Sequence, residues 1–308
     1  MRMVTLRYVV PVLVGVLGMG AVSCGAGDDS ENGGGRGLTA ALSAVPPSAA
    51  GQVVTYTDVT AARRLVGTGR KVYRSLNGYG IIELTGRPYT AVRMRPSYGF
   101  DEKDVATSLL LSNGYGQRLT GDFDVAAVRA AMTKRGYRAT DDDGAVRLRK
   151  KGQADVDVSG SARTTKLTDD AVPLPLDPPD RSLTDDAAYR KAVDCLGDDV
   201  YRASLYGKRA AYRKQGVTLL GIGSRAKTAA APTETLCVVT PSEAAAEKVA
   251  GKLRGKTAAG ERFAGSKVTV GDGGTPVVSM TWKNSTKSGM RPGDQDRTGE
   301  LARLLLWP

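Results

Sequence analysis

The chain has 308 residues, 41% of them hydrophobic and 25% charged, a balance that fits a folded globular protein. Its formal net charge is +12 and it contains no histidine. Nucleophile systems that need an imidazole are therefore excluded, and three cysteines cannot build a four-thiolate zinc site.

Arg2 and Arg7 mark a short positive start, residues 8–23 (YVVPVLVGVLGMGAVS) are apolar, and Cys24 follows. This is the layout of an export signal with a small-residue cleavage site. It resembles the signal of bacterial lipoproteins, where an aliphatic residue and two small residues precede a cysteine. Val22 and Ser23 fill the two positions before Cys24, while Ala21 stands where leucine is usual. The resemblance implies that Cys24 becomes the first mature residue and carries diacylglycerol on its sulfur. That would hold the protein at the outer face of the cell membrane.

Two other readings stay open. Ala21-Val22-Ser23 also suits an ordinary signal peptidase. The uncharged run from Tyr8 to Gly27 is long enough to span a bilayer, although Pro11 and several glycines make it a poor anchor helix. Removal of residues 1–23 takes away Arg2 and Arg7. It leaves 42 Lys+Arg against 32 Asp+Glu, a net +10 that favours anionic partners. Cys24 and residues 25–37 (GAGDDSENGGGRG) read as a lipidated start and flexible tether with a reach of roughly 20 Å.

The exported part reads as α+β. Two small units of mainly antiparallel sheet, each with helices packed on one face, are expected over residues 38–150 and 184–308. In the first, VVTYTD (53–58) alternates as a strand, and Asp58 caps a helix that follows. ATSLLLS (106–112) and GQRLTGDFD (116–124) read as further strands. A helix is expected over 125–135, with Asp124 before it and Gly136 after it. The turn DDDG leads to a closing strand, 145–150. Four prolines fall within residues 173–179, so a Pro-rich linker is expected over 151–183, with ADVDVSG (154–160) as a candidate edge strand.

The second unit opens with TDDAAYRKAVDCLG, a helix capped by Thr184 and ended by Gly197. Strands are expected over 217–226 and 233–240. A helix from TPSE to about Arg254 follows, with Thr240 as N-cap, Pro241 in the first turn and Glu243 closing a capping box. Residues 266–283 read as a final hairpin. Segments 53–66, 118–136 and 235–255 share a strand, cap and helix rhythm, too weak to define a repeat.

Cys195 lies on the apolar face of the first of these helices and Cys237 within an apolar strand. If Cys24 is acylated, the odd thiol count resolves into one anchor and one pair, and a Cys195–Cys237 disulfide is expected in an oxidising compartment. Two separate buried thiols are the alternative.

Catalytic motifs are weak. GIGSRA (221–226) matches a dinucleotide fingerprint, but no helix is expected to open there, so a strand with two small residues at a close contact is the simpler reading. Ser224 and Lys227 match the Ser-x-x-Lys of penicillin-binding serine enzymes, with SLN (75–77) and KSG (287–289) as echoes of the other elements, but in the wrong chain order. The Asp pairs at 28/29, 141–143, 169/170 and 198/199 sit where turns and helix ends use Asp structurally. No catalytic residue, metal or cofactor is expected.

The basic residues are more telling. Residues 63–95 hold eight Lys/Arg and a single acid, Glu83, and residues 202–227 hold seven Lys/Arg and no acid. The candidate ligand surface is Arg63, Arg64, Arg70, Lys71, Tyr73, Arg74, Tyr79, Arg87, Tyr89, Arg93 and Arg95, since arginine and tyrosine together grip anionic polymers or sugars. For an exported protein the available polyanions are wall polymers and phospholipid headgroups rather than nucleic acid.

The stretches LSAVPPSAAGQVVTYTDVTAARRL (42–65) and GDFDVAAVRAAMTKRGY (121–137), with CLGDDV and TLCVVT, are similar to a group of exported lipoproteins of high-GC Gram-positive bacteria. This implies localisation and no particular activity. The expected function is non-catalytic binding of an anionic or glycan envelope ligand, or of an envelope protein. The alternatives are a solute-binding lipoprotein of a transporter, which would need two doubly wound lobes, and a serine acyl-transferring enzyme.

Overall fold

The computed structural model describes residues 37–78, 80–81, 94–111, 116–169, 171–271, 273–284 and 299–306. The strands are β1 (Val53–Asp58), β2 (Val105–Leu111), β3 (Gly116–Gly121), β4 (Arg138–Asp142), β5 (Ala145–Arg149) and β6 (Asp155–Val158), then β7 (Ala162–Lys166), β8 (Arg202–Tyr206), β9 (Leu219–Ala226), β10 (Pro232–Val239), β11 (Lys267–Gly271) and β12 (Val277–Lys283). The helices are α1 (Leu38–Ser43), α2 (Val59–Gly67), α3 (Met94–Tyr98), α4 (Val125–Lys134), α5 (Ala187–Leu196), α6 (Ala210–Lys214), α7 (Glu243–Lys256) and α8 (Glu300–Leu306). The protein is mixed α+β with antiparallel pairing, as expected.

All strands join one 12-stranded sheet in the order β11-β12-β10-β9-β8-β1-β2-β3-β7-β6-β5-β4. The seam between the two expected units is the antiparallel pair β1–β8, with Thr55 opposite Ser204. On either side of that seam the chain repeats itself. In the first half α1 leads to β1, α2, β2, β3 and α4, and the return strand β7 pairs with β3. In the second half α5 leads to β8, α6, β9, β10 and α7, and the return strand β12 pairs with β10. Segments 118–136 and 235–255 are thus equivalent; segment 53–66 belongs to a different step of the unit.

Strand alternation decides which helix covers which face. Val54, Tyr56, Leu109, Leu205, Leu219 and Cys237 point to one face, where α1 and α5 complete a core. Leu220, Ile222, Leu236, Val238, Val278 and Met280 point to the other, under α7 and α8. There Val59 of α2 and Val128 and Met132 of α4 meet Leu119, Val146, Leu148 and Val158. Helices therefore cover both faces rather than one. The reason is visible in β9 and β10, which are buried at nearly every position and so cover both sides.

The stretch 151–183 is more than a linker. It carries β6 and β7, and β7 lies inside the sheet between β3 and β6. Only the proline-bearing part leaves the sheet, and it packs back onto it. Leu174 joins the core, and Arg118 donates to the carbonyls of Pro175 at 3.2 Å and Leu176 at 2.8 Å. Burial lowers the pKa of that guanidinium and nearby Asp177 opposes the shift.

Two helix starts differ from expectation. Asp186, not Thr184, caps α5, with Oδ1 accepting from Ala188 N at 2.9 Å. Thr184 lies instead inside a 3-10 turn, Leu183–Asp185, for which Ser182 is the cap. Ser242, not Thr240, caps α7, because the Thr240 hydroxyl is turned back to the carbonyl of Pro276 at 3.2 Å. Pro241 consequently precedes the helix, which runs through Gly255 to Lys256.

Cys195 of α5 and Cys237 of β10 form a disulfide, Cα–Cα 6.1 Å, that staples helix to sheet. No helix among the described residues is long and apolar enough to cross a membrane.

Candidate anion-binding surface

The basic stretch begins on α2. Asp58 accepts from Ala61 N at 2.7 Å and starts the helix, whose Val59, Ala62 and Leu65 are buried. Arg64 is left on the exposed side. Arg63 turns sideways and donates from Nη1 to the carbonyl of Glu102 at 2.8 Å.

Gly69, at φ +70°, reverses the chain into the 3-10 turn Lys71–Leu76. With three residues per turn, positions i and i+3 fall in line. Tyr73 and Leu76 fall on the buried line with Val72 beside them, while Lys71 and Arg74 fall on the exposed one. Tyr73 is fully buried rather than part of the surface. Its hydroxyl donates to the carbonyl of Ala229 at 3.0 Å, which docks the β9–β10 turn against the 3-10 turn. Burial raises the pKa of this phenol, and Arg70 pulls the other way. The docked turn brings exposed Lys227 to the same region, a cation that the 63–95 count passes over.

Arg95 stands apart. It pairs with Asp101 at 2.6 Å and Asp104 at 2.7 Å, so two carboxylates offset its charge. Its hydrogen bond to Asp101 and the charge of Asp104 raise its pKa further. Cys24, Tyr79, Arg87, Tyr89 and Arg93 lie outside the described residues. What the structure brings together is Arg64, Arg70, Lys71, Arg74 and Lys227, all exposed and none ion-paired among the described residues. The buried line Val72, Tyr73 and Leu76 sits with Ala62, Leu65 and Tyr201, so the cations stand on a packed base. Such a set attracts phosphate and carboxylate groups through charge and arginine forks.

Part of the other basic stretch is used inside the fold. Arg225 pairs with Asp199 at 2.7 Å, Lys208 with Asp186, and Arg209 donates to the carbonyl of Gly51 at 3.0 Å. Ser224 is buried in β9 and donates to Glu234 Oε1 at 3.2 Å, while Lys227 lies beyond the strand end on the exposed turn. GIGSRA is strand throughout. A Cβ on Gly223 would meet Val200 Cγ1 at 2.9 Å and Leu196 Cδ2 at 3.1 Å, so the small residues serve the close approach of α5. Of the Asp pairs, Asp198 accepts from Thr39 N and Oγ1, each at 2.8 Å, and Asp141 pairs with Arg129. No group of three metal-ligating side chains occurs among the described residues.

No protein-family model and no curated protein matches the chain. A solved structure described as "Structure of crystal form I of TP0453" is similar at a TM-score of 0.39 and 10% identity, over 79% of this chain and 92% of that one.

Proposed function

We propose that this protein is a lipid-anchored, non-catalytic binding protein of the cell envelope, held by Cys24 and engaging an anionic envelope polymer through Arg64, Arg70, Lys71, Arg74 and Lys227. The observation that carries the reading is the set of exposed cations, without carboxylate partners among the described residues, on the packed α2 and 3-10 segment and the turn docked on it.

The alternative of a solute-binding lipoprotein, which needs two doubly wound lobes, finds no support in a single antiparallel sheet. The test uses the mature protein with labelled polyphosphate, the polyuronate alginate, neutral dextran and phosphatidylglycerol vesicles. Binding to the two polyanions that weakens steeply with salt supports the reading. Equal binding to dextran, or binding to vesicles alone, contradicts it.

A further inference from the structure

A second surface lies at the edge of the sheet in the second half. β11 stands beside the return strand β12 as β6 stands beside β7, and each is joined to its neighbour as a hairpin. The two strands share one alternation, Asp155-Val156-Asp157-Val158 against Lys267-Val268-Thr269-Val270. Both pairs of valines face the side covered by α4 and α7.

The halves part at the next strand. In the first half β5 pairs with the outer edge of β6, setting Val146 opposite Val158 and Leu148 opposite Val156. Val156 and Val158 are buried there. Arg149 of β5 reaches across to Asp157 at 2.6 Å and to Asp155 at 3.5 Å. In the second half β11 is the last strand, and Val268 and Val270 stay half-buried. Among the described residues the backbone of 267–271 bonds to β12 alone.

Sheet edges are usually blunted by charge, proline or a bulge. β4, the opposite edge, follows this rule: Asp141 pairs with Arg129 at 2.8 Å and Asp142 with Arg147 at 2.6 Å. β11 has no proline, keeps its register over five pairs, and carries Lys267 as its one charge. Lys267 is exposed and has no carboxylate partner among the described residues.

We infer that β11 is a docking edge for an extended, acidic segment of a partner protein, added as a further antiparallel strand. β5 is the template. Apolar residues at alternate positions would face Val270 and Val268, as Val146 and Leu148 face Val158 and Val156. The position that Arg149 holds would be a carboxylate, because Lys267 and Thr269 stand where Asp155 and Asp157 receive the arginine. A second copy of β11 has no carboxylate to offer. Main-chain bonds give such a pairing its affinity, and the alternate side chains its choice of partner. The edge is separate from the polymer-binding surface proposed above and does not depend on it.

The test uses the mature protein labelled with nitrogen-15 and the capped peptide Gly-Ala-Val-Thr-Leu-Glu-Gly. The peptide copies residues 144–150 with Arg147→Thr, Arg149→Glu and Lys150→Gly. One control peptide has lysine for the glutamate, and another has proline for the threonine. Saturable shifts and slower hydrogen exchange of the 267–271 amides are expected with the glutamate peptide. Binding should weaken about two- to fivefold with the lysine peptide and be lost with the proline peptide. In Lys267→Glu the order of the two charged peptides should reverse, which misfolding cannot produce. No saturable shift at millimolar peptide, equal binding of the proline peptide, or an unchanged preference in Lys267→Glu would each overturn the inference. So would a concentration-dependent dimer, seen by sedimentation, that protects the same amides, since the edge would then serve a second copy.

Discussion

The hydroxyls of Thr55 and Ser204 meet at 3.3 Å in the middle of the β1–β8 pair, at the point about which the two halves of the chain repeat. Outward from this pair the halves match in order as far as the return strand: three strands, a helix after the third, and a return strand beside it; beyond that the first half adds β6, β5 and β4 and the second half β11. A single substitution here strands one hydroxyl, whereas removing both leaves none. Thr55→Val and Ser204→Ala should each cost about 1–2 kcal/mol, and the double variant less than their sum. Urea unfolding of the four proteins checks this.

The repeat also shows where the halves differ. Leu119 pairs with Arg163 in the first half, and the equivalent pair in the second is Val238 with Val278. Arg163 is 2% exposed, donates to Thr165 Oγ1 at 2.7 Å and lies 5.4 Å from the Phe100 ring, with its Nε unmatched. Burial pulls its pKa down to about 10, which still leaves it charged at neutral pH. A buried guanidinium without a carboxylate is a burden on stability. Arg163→Met, similar in length and apolar, should leave the unfolding free energy unchanged or raise it by about 1–3 kcal/mol. A clear loss of stability would show that the ring and hydroxyl contacts outweigh the desolvation.

The Cys195–Cys237 bond closes a loop of 42 positions between α5 and β10. By the chain-entropy account its removal in Cys195→Ala/Cys237→Ala should cost about 4 kcal/mol. Thermal unfolding with and without reductant, alongside thiol alkylation of the native chain, measures it.

Close packing beside that bond gives a further outcome. Gly223→Ala places a methyl 2.9 Å from Val200 Cγ1 and should destabilise by about 1–3 kcal/mol as α5 is pushed from β9. Gly251→Ala, where nothing lies within 4 Å of the added atom, serves as the control and should not destabilise.

Acid sensitivity should centre on Asp186. Burial alone would raise its pKa, but the hydrogen bond from Lys208 and those from the Ala188 and Tyr189 amides outweigh it and leave the pKa lowered. A carboxylate with a depressed folded pKa contributes stability above its unfolded value, near 4, and loses it as pH falls through the folded value. Asp186→Asn should therefore flatten the loss of stability below about pH 4, read from urea midpoints against pH.

Legibility in the sequence follows how local each determinant is. Asp58 and Asp124 announce α2 and α4 because a cap acts within three residues. Alternation announces β1. β8 (RASLY) escapes sequence reading because it is short and polar at one end, and its place is set by partners on two other strands. β7 hides within the expected linker because ARTTK carries no apolar stripe; its neighbours bury it. β4 reads as an acidic turn because it is an edge strand facing solvent. Of the candidate surface, charge counting finds Arg64, Arg70, Lys71 and Arg74. It cannot separate Arg95, neutralised by Asp101 and Asp104, or Tyr73, drawn inward to Ala229. Lys227 joins the others only through a turn that is distant in sequence.

The most direct test of the proposed function compares two charge-matched variants. In one, Arg64, Arg70, Lys71 and Arg74 become alanine. In the other, four exposed lysines elsewhere, Lys151, Lys191, Lys214 and Lys248, do so. Polyphosphate affinity is then measured against salt concentration for both and for the parent chain. The account predicts that the first variant loses at least about tenfold in affinity and most of the salt slope, while the second stays close to the parent. Equal losses in both would mean that net charge alone drives binding and would contradict a defined site.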